Sequence, residues 1–338
     1  MTDKDRFDVA MIPGMRERLA SAYARFRAAH AAFQQGESRI VERAAARQRC
    51  PGCGASSNEA EALFVSRSMR HVRCHRCSLV YTLDILDTAD DQALYQQNSA
   101  MAAYLALKED PAYAELEANK AAYLAGLVRR FVDKPTTFLD VGCSTGELLL
   151  AAERLGFEVR GIDANPDMIE RARKRFGDRV AEGYFPGAAP ASWPRFGAIA
   201  ILDVLEHMVD PHAFLAELSQ WLEPGGILLV QVPNFDSLIV HLEGSQSGTF
   251  QHGHWTHYTA ATLAPIVEAA GFETRLLETI ISERDRILAF PPDEIVRALA
   301  RAAPDYRGGV EALSSAEMHR NFLGYKVVGV FGKRPAGL

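Results

Sequence analysis

The strongest constraint on the fold is an apolar run that is followed at once by a loop of small residues. The run Phe138–Val141 leads into Gly142, and the loop closes at Gly146. This pattern predicts a buried strand that turns sharply into a helix, because glycine permits the tight turn and lets a ligand approach the backbone. A second apolar run ends at Asp163, 17 positions after Gly146, where a carboxylate suits two vicinal ribose hydroxyls. We therefore predict a parallel α/β sheet that binds an adenosine-containing cofactor.

The composition of the loop narrows the choice of cofactor. A dinucleotide-binding loop carries three glycines that bring bare N–H groups to a pyrophosphate, whereas this loop reads Gly142-x-Ser144-x-Gly146 after Asp140. The aspartate would repel a phosphate and attract a cation such as the amino group of S-adenosylmethionine (SAM). We predict SAM as the cofactor, held by the loop and by the carboxylate that ends the second apolar run. The predicted cofactor-binding residues of these two segments are Asp140, Gly142, Cys143, Ser144, Thr145, Gly146 and Asp163.

The segments downstream follow the order of a known family. Phe196–Leu202 reads as a strand and is followed by Asp203-Val204-Leu205-Glu206-His207. A helical pattern over Pro211–Leu222 then leads to the turn Glu223–Gly226 and the strand Ile227–Val232. With the glycine-containing loop, these segments resemble the class I SAM-dependent methyltransferases, especially the branch of ubiquinone-biosynthesis and sugar methyltransferases. The resemblance implies that Ala164, Asp203 and Val204 also bind the cofactor.

The resemblance extends over roughly residues 115–333 and implies the fold of the whole region. It implies a Rossmann-like, doubly wound α/β sheet of seven strands. The sixth strand is expected at Glu273–Ile281, an inserted helix at Asp293–Ala303 and an antiparallel seventh strand at Tyr325–Gly332. After the third strand, Glu182–Phe185 offers no clear acidic residue for the adenine amino group, so that contact stays open.

Four of the five cysteines form two pairs, Cys50 with Cys53 and Cys74 with Cys77. Two C-x-x-C knuckles supply the four thiolates of a tetrahedral zinc site, and so short a segment needs a metal to fold. Two disulfides or free thiols are the alternative, which a reducing cytoplasm disfavours. We predict a zinc ribbon with Zn²⁺ bound by these four cysteines, while Cys143 serves as a small packing residue in the loop.

The order of the parts resembles bacterial zinc-ribbon methyltransferases, many of which act in sugar, cell-surface glycan or natural-product pathways. We predict a helical N-terminal segment over residues 1–48, a zinc ribbon over 49–86, a helical linker over 87–112 and a methyltransferase domain over 113–338. An apolar stripe through residues 116–131 indicates helix packing ahead of the first strand. In the linker, Tyr95 and Tyr104 either line the cofactor entrance and contact substrate or pack in the core.

Charge and composition limit the possible partners. The net charge of −6 argues against a nucleic-acid-binding surface over the whole protein. Between Arg16 and Arg49, however, eight arginines stand against three glutamates, which indicates either a solvated helix face or a site for an acidic partner. Membrane-spanning apolar runs and a signal peptide are not recognisable, so we expect a cytoplasmic protein. Whether the protein forms a homodimer stays open.

Catalysis requires alignment of the acceptor with the methyl group and, for many acceptors, removal of a proton. His207 is the leading candidate base, because it follows the fourth strand at the rim where ligands bind; orienting a loop is its alternative role. Glu206 orients the base, binds substrate or faces solvent. A second cluster spans residues 252–259, in which His254 and Trp255 are expected to contact substrate, and His257 and Tyr258 are alternative proton acceptors.

That cluster leaves two further readings open. Its H-x-H-x-x-H spacing is compatible with a divalent metal, although the segment contains no carboxylate, and it could equally be a structural loop. Thr259 is the expected N-cap of the next helix.

We predict a SAM-dependent methyltransferase that transfers a methyl group to oxygen or carbon of a small-molecule acceptor such as a sugar, glycan or natural-product intermediate. Two alternatives are an RNA or protein methyltransferase that docks its substrate on the ribbon, and a non-catalytic SAM-fold binding subunit. The net acidity and the lack of interleaved basic and aromatic residues disfavour RNA. Glu206 and His207 favour an enzyme.

Overall fold

The computed structural model describes residues 3–36, 44–87, 89–92, 101–134 and 136–335. Within these residues the strands form sheets of seven, four and two strands. The strands are β1 (Ala45–Ala46), β2 (Glu61–Ser66), β3 (Met69–Arg73), β4 (Val80–Thr82), β5 (Asp84–Ile85), β6 (Thr137–Val141), β7 (Glu158–Asp163), β8 (Val180–Glu182), β9 (Phe196–Leu202), β10 (Leu222–Pro233), β11 (Thr256–His257), β12 (Phe272–Ile280) and β13 (Lys326–Lys333). The α-helices are α1 (Met15–Gly36), α2 (Met101–Lys108), α3 (Pro111–Arg129), α4 (Glu147–Arg154), α5 (Pro166–Phe176), α6 (Pro211–Trp221), α7 (Leu238–Glu243), α8 (Ala260–Ala269), α9 (Arg284–Ile287), α10 (Pro292–Ala302) and α11 (Ser315–Arg320).

The large sheet has the strand order β12-β13-β10-β9-β6-β7-β8. Strands β10, β9, β6, β7 and β8 are parallel to one another, whereas β13 is antiparallel to both β10 and β12. The predicted doubly wound α/β fold is confirmed, including its late antiparallel hairpin. Because β6 and β9 are adjacent, the segments that follow them meet at one edge of the sheet.

The central strands are apolar on both faces because helices cover both sides of the sheet. Phe138 and Leu139 of β6 face opposite sides, and both are fully buried. Helix α3 supplies part of one cover, and it carries the apolar stripe expected there: Leu116, Leu124, Leu127 and Val128 are buried. Asp110 caps this helix by accepting hydrogen bonds from the N–H groups of Ala112 and Tyr113.

Three helices, α9 to α11, stand between β12 and β13 and extend the core beyond the sheet. The helix predicted at Asp293–Ala303 is confirmed as α10. Its apolar side packs with α7 and with the ribbon. The buried members of this cluster include Val80, Phe235, Leu238, Phe250, Leu299 and Met318.

The cysteine-rich region forms an antiparallel sheet whose fourth strand comes from far along the chain. Strands β2, β3 and β4 are consecutive, and β11 pairs with β4 at the sheet's other edge. Thus residues 256–257, which the sequence assigns to the methyltransferase domain, complete the ribbon sheet. Residues 45–46, assigned to the helical N-terminal segment, pair with β5.

Several arginines of the N-terminal region and ribbon have partners inside the protein. Arg16 pairs with Glu283 at 3.0 Å and also with Asp285, and Arg70 pairs with Asp84. These pairs join α1 to the insertion and β3 to β5. No helix in the described part of the chain combines the length and apolarity needed to cross a membrane.

His71 occupies the aromatic core of the ribbon. Its ring stacks on Phe64 at a centroid distance of 4.8 Å and lies 5.2 Å from Phe250. Its Nδ1 donates to the Met69 carbonyl at 3.1 Å. Burial lowers the pKa of the imidazole to about 4, because a charged ring would be desolvated there.

We expect this histidine to make stability depend on pH. An unfolded histidine titrates near 6.5, so between that pH and about 4 the unfolded chain binds a proton that folded His71 does not. The free energy of unfolding should then fall as the pH falls. In the His71→Phe variant, which keeps the ring packing, that slope should be smaller by at most about 1.4 kcal/mol per pH unit, the limit for one whole proton. Denaturant unfolding of both proteins between pH 7 and 5 measures the difference, and equal slopes would contradict it.

Candidate functional site

The loop after β6 has the conformation that its glycines predict. Gly142 and Gly146 have φ angles of 78° and 91°, in the left-handed region that disfavours other residues. A Cβ atom on Gly142 would lie 2.7 Å from Cγ2 of Val204. The loop and the segment after β9 are therefore in direct contact at the carboxyl edge of the sheet.

Asp163 anchors this loop. Its Oδ2 accepts a hydrogen bond from Ser144 N at 2.8 Å, and its Oδ1 accepts one from Asn165 N at 2.8 Å. Through these two bonds the side chain joins the end of β7 to the loop after β6.

Asp140 lies beneath the loop and is almost fully buried. Its Oδ1 has no hydrogen-bond partner among the described residues. Burial and the neighbouring Asp163 raise the pKa of this carboxyl well above its usual range. A cationic ligand group would relieve both effects, so the site fits the amino group of SAM.

The other predicted loop residues have packing or local roles in the structure. Cys143 is buried, and its Sγ would lie 2.8 Å from a Cβ on Gly161, which explains the glycine there. The Thr145 hydroxyl donates to Glu147. Ala164 is half-buried at the end of β7.

Asp203 holds a strained turn after β9, with φ of 55°. Its carboxylate accepts from Lys326 Nζ at 2.8 Å and from Gln231 Nε2 at 3.1 Å. The ion pair lowers the pKa of Asp203 despite its burial. Sequence reasoning missed Lys326, because it lies on the seventh strand, far from every motif.

A charged network beside the loop was also missed. Lys108 of α2 lies 3.3 Å from Glu147 and 3.8 Å from Glu117, and Lys120 lies 2.6 Å from Glu117. The three-residue spacing of Glu117 and Lys120 on one helix face was the available signal. A cleft of about 200 Å³ opens against this network and is bordered by Thr145, Glu147 and Arg171.

Aromatic residues near the cofactor side differ from those predicted. Tyr95 lies outside the described residues. Tyr104 packs against Phe26 at a centroid distance of 5.6 Å and lies beside Lys108. Tyr184, which follows β8, is partly exposed; burial and the nearby Asp91 and Asp163 raise the pKa of its hydroxyl to about 12.

The leading catalytic candidates come together. His207 and His254 meet edge to face at a centroid distance of 4.7 Å, and ligand atoms of Glu206, His207 and His254 lie within 4.8 Å of one another. His207 is half-buried, whereas the other two side chains are buried. Burial lowers the pKa of His207 to about 4 and raises that of Glu206 well above its usual range.

This cluster supplies the carboxylate that the histidine segment itself lacks, and in composition it could hold a divalent cation. Both ring nitrogens of His254 are already engaged, however. The Thr249 carbonyl can only accept, so Nδ1 of His254 donates to it at 2.9 Å, and Nε2 accepts from Gln251 Nε2 at 2.7 Å. An ion would have to displace the Gln251 amide.

The remaining residues of the second cluster are buried in packing contacts. Trp255 is fully buried and belongs to a small core with Met69 and Leu86. His257 packs against His71 of the ribbon at a centroid distance of 5.0 Å. The Tyr258 hydroxyl donates to the Leu205 carbonyl at 3.4 Å. The expected N-cap at Thr259 is confirmed as a full capping box.

The four ribbon cysteines converge as predicted. The Cys50 and Cys77 sulfurs are 3.6 Å apart, and the Cys53 and Cys74 sulfurs 3.5 Å apart. These separations exceed a disulfide bond and approach the ~3.8 Å edge of a tetrahedron with 2.3 Å zinc–sulfur bonds. The donor set and spacing fit zinc, which would serve here as a structural ion.

The knuckles and their surroundings favour a negatively charged metal centre. Gly54 and Ser78 follow the two knuckles with φ of 71° and 61°, so both loops turn alike. The buried Arg47 donates one hydrogen bond, from NH1 to the Val209 carbonyl at 2.8 Å. Its Nε and NH2 have no hydrogen-bond partner among the described residues. Since Cys50 acts electrostatically on this guanidinium, thiolates around a metal would balance its charge.

A known protein family matches the region of the large sheet. The family described as "Methyltransferase domain" matches residues 116–277, just under half of the chain. This region is a methyltransferase domain. It runs from α3 into β12 and so includes Asp163, Glu206 and His207.

Similar proteins include enzymes of ubiquinone biosynthesis. The chain is 35% identical over 103 residues to a ubiquinone biosynthesis O-methyltransferase of Caulobacter vibrioides, a stretch of 29% of this chain and 41% of that protein. It is 36% identical over 98 residues to the mitochondrial enzyme of that name from Schizosaccharomyces pombe, covering 27% of this chain and 36% of the relative. The match thus spans about two fifths of these relatives' length.

A solved structure of similar outline is the 1,6-didemethyltoxoflavin-N1-methyltransferase of Burkholderia thailandensis, with bound 1,6-didemethyltoxoflavin and S-adenosylhomocysteine. It shares 14% identity with this chain, with a TM-score of 0.47, and the match covers 81% of this chain and 100% of that one.

We expect one zinc ion per chain in the purified, reduced protein. The Cys50→Ser/Cys74→Ser double variant should lose it, because each knuckle then retains a single thiolate. Cys143→Ser is the matched control and should keep the ion, since Cys143 stands apart from the four-sulfur cluster. Elemental analysis measures all three proteins, and iron or a metal-free wild type would contradict the assignment.

Proposed function

We propose that this chain transfers a methyl group from SAM to a hydroxyl oxygen or a carbon of a small acceptor, of the sugar, glycan or natural-product kind. The contact between Gly142 and Val204 carries the proposal, because His207 follows Val204 by three residues and thus stands next to the cofactor loop. The named activity of the ubiquinone-biosynthesis relatives supports oxygen as the acceptor atom. SAM would supply the activated methyl group on its sulfonium.

Acidic and basic residues near the loop would bind different groups of the cofactor. Asp140, whose Oδ1 lacks a partner, would accept the amino group, and Asp163 would accept the ribose hydroxyls. Tyr184, partly exposed beside Asp163, would cover the adenosine in place of the acidic contact that the sequence lacks. The basic groups Lys108 and Lys120 stand near the loop and would favour a carboxylate.

His207 would take the proton of the acceptor. It is partly accessible, whereas His254, His257 and Tyr258 are buried. With a pKa of about 4, its imidazole is neutral at physiological pH and has a lone pair available. Glu206 lies within 4.8 Å of the ring, close enough to help hold the imidazole in place.

The buried surroundings favour a small acceptor over RNA or a protein. Of the predicted site residues, His254 and Trp255 are held by internal contacts, which leaves His207 as the reachable group. In this proposal the site is supported from the protein interior by Trp255, His257 and Tyr258. His254 orients His207.

The cofactor assignment can be tested without an acceptor. Asp163→Ala should weaken SAM binding by about 1.5–3 kcal/mol, the range for a hydrogen bond to a charged group. Asp167→Ala is the matched control, because Asp167 lies in the first turn of α5 and should leave binding unchanged. Calorimetry with SAM measures both, and unchanged affinity in the Asp163 variant or tight NAD binding by the wild type would refute the assignment.

The assignment of the base can be tested with a panel of hydroxylated sugars, sugar nucleotides and hydroxyaromatic compounds, by release of S-adenosylhomocysteine. His207→Ala should lower turnover by roughly 10²–10⁴-fold while SAM affinity is retained. His241→Ala, on α7 beside Phe235, is the control and should stay active. Normal turnover by His207→Ala would refute its role. A wild type that binds SAM but methylates only RNA or protein, or nothing, would instead favour the alternatives.

A further inference from the structure

The ribbon and the candidate catalytic cluster share one hydrogen-bonded sheet. Strand β11 pairs with β4, matching Thr256 with Tyr81 and His257 with Val80. Next to this pair, Thr82 N donates to the Trp255 carbonyl at 3.0 Å. The segment that carries the second histidine cluster is therefore an edge strand of the ribbon.

A turn of the ribbon holds the start of the same segment. Arg67, in the β2–β3 turn, donates from NH1 to the carbonyls of Phe250 at 2.6 Å and Ser247 at 3.1 Å. His252 Nε2 donates to the Arg67 carbonyl at 2.9 Å. We call residues 247–258 the clamped loop, because the ribbon forms hydrogen bonds with it near both ends.

Aromatic packing fills the space between the ribbon and the clamped loop. The rings of His71, Phe250 and His257 lie in mutual contact, with centroid distances of 5.0 to 5.2 Å. All three are almost fully buried. The position of the clamped loop thus depends on a ribbon residue as well as on backbone hydrogen bonds.

The clamped loop in turn fixes the catalytic candidates. His254 is oriented by Thr249 and Gln251, both within the loop. Trp255 N donates to the Glu206 carbonyl at 2.8 Å, which ties the loop to the turn that carries His207. A shift of the ribbon would therefore move the neighbours of the proposed base.

We propose that the four-cysteine ribbon positions the catalytic cluster, with His71 as a positioning residue that acts on His254 and His207 through the clamped loop. This inference rests on the proposed function and assigns to the ribbon a part in the acceptor site. Metal binding by the cysteines would then govern methyl transfer and leave SAM binding unaffected, because Asp163 and the loop after β6 are anchored by contacts within the Rossmann-like sheet.

The first test compares the full chain with and without its metal, after chelation under reducing conditions. Hydrogen exchange at the amide of Thr82, which donates to the Trp255 carbonyl, and at residues 255–257 should accelerate by about tenfold or more, since these residues are held by the pairing with β4 and by the Glu206 carbonyl. Exchange in β6 and β7 and calorimetric SAM affinity should stay unchanged. Retained protection at Thr82 and residues 255–257 after metal removal would overturn the proposal.

A second set of variants keeps the metal. His71→Ala should shift or broaden the imidazole NMR signals of His254 and His207 in protein with labelled histidine, whereas His71→Phe should restore their positions by refilling the space. Val65→Ala is the matched control on the same ribbon, because Val65 is 61% exposed and makes no part of this packing. Unmoved signals in metal-loaded His71→Ala would overturn the positioning role.

The same samples separate this inference from the proposed function. If the wild type does not bind SAM, the methyltransferase proposal itself is refuted. If the wild type binds SAM but hydrogen exchange in the clamped loop does not change on metal removal, only the proposed role of the ribbon is refuted. If an acceptor is found, His71→Ala should lower kcat while the affinity for SAM is preserved, and His71→Phe should recover most of the loss.

Discussion

The structure depends on the antiparallel pairing of β4 with Thr256 and His257. This short ladder joins a cysteine-rich ribbon near the amino terminus to a segment that follows the fifth strand of the central sheet. Backbone pairing is directional and fixes register, so it positions side chains more firmly than apolar contact alone. The site is consequently built from three parts of the chain: the loop after β6, the turn after β9 and the clamped loop.

Electrostatics at the site follow from the same burial. Burial raises the pKa values of the Asp140 and Glu206 carboxyls well above the usual range, whereas the ion pair with Lys326 lowers the pKa of Asp203. Two desolvated carboxyls and one paired carboxylate thus lie along the carboxyl edge of the sheet. Such an arrangement favours a ligand that brings positive charge, and a sulfonium cofactor with an amino group does so.

Local patterns were sufficient to predict the central fold. The apolar run before Gly142, the carboxylate at Asp163 and the stripe on α3 each depend on neighbours within a few residues, and each was found where expected. The spacing of the cysteines likewise predicted that their side chains converge. The pairing of β11 was not, because a two-residue strand has no periodicity of its own and its partner lies about 175 positions earlier. For the same reason, sequence alone could not show that His257 packs on His71 or that Lys326 reaches Asp203.

The distance along the chain between β4 and β11 also bears on the order of assembly during synthesis. The ribbon leaves the ribosome early, but the edge of β4 stays unpaired until residue 257 has been made. An open strand edge readily pairs with other chains. The newly made protein therefore carries an exposed edge throughout the synthesis of the central sheet, and closure of the ribbon sheet by β11 both protects that edge and completes the site.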